Sequence, residues 1–134
     1  MTDIAATPAP ALNRTLWVFQ ILLGAFMIVA SAAPKLVGET NAVQTFDDMG
    51  APTWFRYFIG VVELAGGVGL LIPRLTRAAA IGLMLLMVGA TYTQLFILDG
   101  GAIALTPVIL FFCFAFIAWG RRPSSRRPSS RRPA

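Results

Sequence analysis

The sequence predicts an all-α protein embedded in a membrane, a four-helix bundle with both termini in the cytoplasm. The first observation behind this is composition. Of 134 residues, 57% are hydrophobic and 13% are charged, with a mean hydropathy of +0.72. A soluble domain holds roughly a quarter charged residues, so this chain cannot clothe a globular surface with polar groups. The second is the grouping of apolar residues into four runs, at about 16–33, 54–72, 78–98 and 103–119. Each approaches the roughly 20 residues a helix needs to cross the hydrocarbon, and a helix is required because lipid leaves no water to satisfy backbone groups. The third is charge asymmetry. Arg14, Arg74, Arg77 and six tail arginines lie on one side, while Lys35 and Arg56 lie on the other with Glu39, Asp47, Asp48 and Asp99. Cationic loops stay inside, which places the termini and the Pro73–Arg77 connection in the cytoplasm of a multi-pass cell-membrane protein.

The elements follow in order. Residues 1–14 are Ala/Pro-rich without periodicity and read as a disordered lead. Residues 15–120 form the transmembrane domain. Pro34 is expected to close the first span and Pro73 to follow the second, since proline breaks a helix interior. Ala30-Ser31-Ala32 after an apolar run resembles a signal-peptide cleavage site, but the run is longer than a usual signal core, and the span is expected to stay. The outer loop, 34–53, holds a short amphipathic segment with Val43, Phe46 and Met49 on one face and Asp47 and Asp48 on the other. Asn41 with Gln44 reads as its capping pair and Gly50 as its stop. Asp99-Gly100-Gly101 turns the chain between the last two spans. Pro107 falls in the first turns of the fourth, where a missing N–H is tolerated.

The chemistry available is restricted. There is no His, which removes imidazole acid/base work and His-based metal sites. The lone Cys113 excludes dithiol exchange through an internal disulfide and reads as an ordinary apolar side chain. Glu63 is the outlier, a carboxylate midway along the second span, where a charge costs on the order of 3 kcal/mol. Gly60, Gly66 and Gly67 line its face, so that face is expected against another helix. It is either a proton-bearing or ligand-orienting group, or a structural clasp. Lys35 and Arg56 are the cations that could neutralise it, unless both extend to the headgroups. Tyr92 and Gln94, with Thr91 and Thr93, form a polar cluster in the third span; the threonines are expected to bond back to their own helix, while Gln94 needs a partner. Ala65-x-x-x-Gly69 and Ala78-x-x-x-Gly82 have the small-residue spacing of close helix contacts, inside the bundle or in a homo-oligomer. Trp17, Trp54 and Trp119 sit at span ends as interface anchors.

The tail, 121–134, repeats Arg-Arg-Pro-Ser-Ser and is expected to be disordered. Arg121, Arg122, Arg126 and Arg127 would hold it on anionic lipids at roughly 1 kcal/mol each, and Ser124 and Ser129 lie in contexts suited to basic-directed kinases. Without aromatic residues or a folded platform among these arginines, nucleic acid is not an expected partner.

Ala33-Pro34-Lys35-Leu36, Gly60-Val61-Val62-Glu63-Leu64-Ala65-Gly66-Gly67, Leu71-Ile72-Pro73-Arg74-Leu75-Thr76-Arg77 and Ala118-Trp119-Gly120-Arg121 occur in an order and spacing that resemble the DoxX-like family of small four-helix membrane proteins. The resemblance covers about residues 14–122. It implies that Lys35, Glu63 and Arg77 carry the family's polar signature, and that Gln94 stands where relatives often have His. It also implies the setting of membrane subunits that accompany quinone-linked oxidoreductases, or of oxidative-stress and detoxification proteins. The expected role is therefore a non-catalytic subunit or scaffold of such an assembly, with a membrane or peripheral protein partner and a quinone as the one cofactor to consider. A small proton-coupled exporter using Glu63 and a purely structural assembly factor are the alternatives.

Overall fold

The computed structural model describes residues 9–123, and every regular element among them is helical. The first, α1, is a continuous helix over Pro10–Val37, longer than the apolar run at both ends. It begins at Pro10, whose ring is preorganised for a first helical position, so residues 10–14 are helical and not part of a disordered lead. It also runs through Pro34, contrary to the expected stop. Immediately before that proline the helix widens into a π-helical stretch, Phe26–Ala32, closed by the Ala33 N–H on the Ile28 carbonyl. Proline in regular α geometry loses a hydrogen bond and drives its ring into the carbonyl four residues back; a local π register relieves that conflict. The stop comes at Gly38, whose φ of 76° is the left-handed conformation that glycine enters without penalty.

The short helix α2, Thr40–Asp48, is the predicted amphipathic segment, with Phe46 buried and Asp47 and Asp48 exposed. Its cap differs from expectation. The Glu39 carboxylate accepts from the Asn41 and Ala42 N–H groups at 3.0 and 3.1 Å. Because the chain reverses at Gly38, Glu39 is the extended residue facing the free N–H groups, and Asn41 falls inside the first turn. Gln44 donates forward to Asp48 at 2.8 Å. Gly50, at φ 72°, ends the segment as predicted.

Three more spans follow: α3 over Thr53–Leu71, α4 over Thr76–Ile97 and α5 over Gly101–Gly120. The last turn of α4, Thr93–Ile97, is again π-helical. Asp99 and Gly101, at φ 51° and 55°, make the turn into α5. Around the bundle the order is α1, α3, α4, α5, with α5 returning onto α1. Met27, Leu70, Leu83, Met87, Phe114 and Ile117 form the core. Outward-facing Leu22, Val29, Leu85, Phe96 and Phe112 are 64–72% exposed, an arrangement stable only where the surroundings are apolar.

Glycines set how closely the spans approach. At the α1–α3 crossing, a Cβ on either Gly24 or Gly67 would lie 3.0 Å from the other's carbonyl oxygen. Gly60 receives Leu36, Gly66 receives the end of Leu83, and Gly69 faces Ala79. Gly82 has no such neighbour: it is exposed on α4, and a Cβ there would meet nothing within 4 Å.

Candidate functional site

Between the halves of the spans nearest α2 lies a cavity of about 480 Å³. Its wall is mostly apolar, with Phe26 from α1, Phe46 and Met49 from α2, Phe55 and Ile59 from α3, Leu86 and Ala90 from α4, and Pro107 and Leu110 from α5. A few polar groups interrupt it, chiefly Ser31, Lys35, Glu63 and Gln94. Both π-helical stretches contribute to this wall, the first through Phe26, Ala30 and Ser31 and the second through Thr93 and Gln94. Such stretches concentrate at functional sites. Phe26 and Ile103 are exposed as well as wall-forming, so the chamber lies within reach of the bilayer.

Glu63 is only 5% exposed. Lys35 Nζ stands 2.9 Å from its Oε2, the one ion pair within 4 Å among the described residues. The same ammonium donates to the Ser31 carbonyl at 3.0 Å and to Ser31 Oγ at 3.2 Å. The ammonium thus has three oxygen neighbours within 3.2 Å, and Glu63 Oε2 is itself closed off from solvent. Lys35 reaches this depth because α1 continues through Pro34. A chain leaving the helix at that proline would have turned the side chain towards the headgroups.

Arg56 does not approach Glu63. It is 6% exposed, its Nη1 donates to the Lys35 carbonyl, and its guanidinium lies 4.4 Å from the Tyr57 ring centroid. It thereby fastens the end of α1 to α3, above the ion pair. Gln94 faces the chamber and packs against the turn at Gly100, whose N–H donates to the Gln94 carbonyl at 2.7 Å. Tyr92 points away: it is 59% exposed, lies against Phe96 and borders an apolar groove between α4 and α5. Thr91 and Thr93 bond back to Met87 and Gly89, as anticipated. Arg77 is exposed at the opposite end of the molecule.

A second polar group, at the end carrying the termini, escaped the sequence reading. Gln20, 1% exposed within α1, donates to the Leu70 carbonyl at 2.9 Å and to Thr76 Oγ1 at 3.3 Å. Its own Oε1 accepts from Arg121 Nε at 2.7 Å, and Arg121 Nη1 donates to Asn13 Oδ1 at 2.8 Å. Partial burial holds the Arg121 pKa below the usual arginine value. Arg121 is thus part of a clasp joining α1, α5 and the α3–α4 connection, not a free member of the tail. Arg122 lies over the Trp119 ring at 4.8 Å. Ser124, Arg126, Arg127 and Ser129 lie outside the described residues. The signal available in the sequence was Gln20 itself, an amide inside an apolar run.

No curated protein and no solved structure matches the chain. A family model does, over residues 18–116, a stretch that contains the whole chamber wall and most of each span. The match covers most of the chain, and the protein belongs to the DoxX-like family.

Proposed function

We propose that this membrane protein is a non-catalytic subunit of a quinone-linked or stress-related redox assembly in the cell membrane, and that its chamber holds a lipophilic ring compound of the quinone class. The observation that carries this reading is the mostly apolar 480 Å³ chamber with Lys35, Glu63, Ser31 and Gln94 gathered in its wall. Its volume lies within the roughly 300–1,000 Å³ of small-molecule sites, which typically pair apolar walls with a few convergent polar groups. The residues fit such a ligand. Phe26, Phe46 and Phe55 offer ring-sized apolar contact, and Ser31 and Gln94 offer hydrogen-bonding groups. A quinone supplies two-electron, two-proton chemistry to whatever partner it serves; this chain's residues bind it, orient it and exclude water. Proton-coupled export is the weaker reading, because the Glu63 carboxylate is already engaged by Lys35 at 2.9 Å.

The test is purification from native membranes in mild detergent, with quinone extraction and mass spectrometry of bound proteins. The expected result is quinone in near-stoichiometric amount together with a redox partner. Ala90→Phe, which sets a ring into the chamber, should sharply lower the quinone content while leaving a monodisperse protein. Wild-type protein without quinone, or unchanged quinone in that variant, would overturn the proposal.

A further inference from the structure

We propose that Gln94 and Thr106 are the chamber's ligand-binding donors, hydrogen-bonding the carbonyl oxygens of the lipophilic ring compound it holds. The proposal rests on the reading of the chamber as a site for such a compound and specifies where its oxygens are bound. The other polar side chains of the wall are already engaged. Lys35 is paired with Glu63 and bonded to Ser31, while Thr45 and Thr93 donate to the Asn41 and Gly89 carbonyls of their own helices. Gln94 and Thr106 line the same wall, and neither side chain makes a hydrogen bond among the described residues. Both can be reached: Thr106 is exposed, and the part-buried Gln94 has neither amide atom closed off.

Thr106 is an exception among the threonines. Thr15, Thr45, Thr76, Thr91 and Thr93 each donate to the carbonyl four residues earlier, the usual resort of a hydroxyl within a helix. Thr106 instead follows the 3-10 turn Gly101–Ala104, whose tighter winding moves that carbonyl out of line. The groups left free are donors. Gln94 Oε1 lies against the Gly100 turn, where a Cβ would strike it, which leaves its N–H groups and the Thr106 O–H. Donors call for an acceptor, and the ring carbonyl of a quinone is one. The donors thus come from α4 and α5, and the ion pair from α1 and α3.

The experiment measures the binding of duroquinone and durene to the full-length protein in detergent, by equilibrium dialysis corrected for partition into protein-free micelles. Durene has the same tetramethyl ring without the carbonyl oxygens. Gln94→Met and Thr106→Val each remove the donor and keep the bulk. Each should weaken duroquinone by about three- to tenfold, the scale of one neutral hydrogen bond, and leave durene no weaker. The infrared carbonyl stretch of duroquinone on the wild type should lie below its frequency in alkane solvent, a reading that decides alone if the variants fail to fold. Equal loss of both probes would overturn the hydrogen bonds, since the two residues would then only shape the wall. A loss in one variant alone would overturn the assignment of the other residue. Unchanged duroquinone affinity in both, or an unshifted carbonyl stretch, would overturn the proposal and leave the chamber's function standing. Binding of neither probe to the wild type would overturn it together with the proposed function beneath it.

Discussion

Lys35 and Glu63 form a pair in which the two partners depend on each other unequally. Glu63 is buried with Lys35 as the one cation within 4 Å of it among the described residues, while Lys35 is part-exposed and has Ser31 as well. Removing the lysine therefore strands the carboxylate. Lys35→Met should lose about 3 kcal/mol, the lower end of the range for breaking a buried pair, and Lys35→Met with Glu63→Met should recover most of that loss, because no charge is left without its partner. Reversible unfolding in mixed micelles measures both; a double variant no more stable than the single one would contradict the account. Glu63 was legible in the sequence because a charge inside an apolar run has no ordinary explanation. Its partner was not, since choosing between Lys35 and Arg56 required knowing that α1 passes through Pro34. The Gln20–Arg121 contact was harder still, because it joins residues 101 positions apart, and an amide inside an apolar run does not say which distant group it meets.

At the scale of elements, the four spans were readable to within a few residues because hydropathy depends on neighbours in the chain. The π-helical stretches and the Glu39 cap were not, since they depend on how the backbone accommodates Pro34 and Gly38 in three dimensions. The same distinction applies to the small residues. Gly67 and Gly82 look alike in sequence, each within an apolar run, but Gly67 lies against the backbone of α1 and Gly82 faces outward. Gly67→Ala should destabilise by about 1–3 kcal/mol, as expected for overpacking where the obstacle is backbone and cannot rotate aside. Gly82→Ala should leave stability unchanged or raise it by up to about 1 kcal/mol through helix propensity. Thermal unfolding of the two variants in detergent separates them, and equal losses would mean that Gly82 is packed against another molecule. The Ala78-x-x-x-Gly82 spacing is therefore not used within the bundle, whereas Gly69, from the matching spacing on α3, packs on Ala79.

For the molecule as a whole, the two ends differ in how their charges are used. Arg14, Arg74 and Arg77 are exposed at the end carrying the termini. At the α2 end, Lys35 is turned inward to Glu63 and Arg56 to a backbone carbonyl, while Asp47, Asp48 and Asp99 are exposed. The surface charge is consequently more polarised than the sequence tally suggests. The Arg121–Asn13 hydrogen bond holds the start of α1 and the end of α5 on one face, so a single orientation fixes everything else. If basic segments are retained inside, the termini are cytoplasmic and α2, with the chamber beneath it, faces outward. In a Cys113→Ala background, Asn41→Cys should react with a membrane-impermeant maleimide in intact cells, whereas Ala9→Cys should react only after permeabilisation; both positions are exposed. The reverse pattern would invert the protein and open its chamber towards the cytoplasm. Labelling of both sites from outside would mean that α1 does not separate them across the membrane and would overturn its assignment as a span.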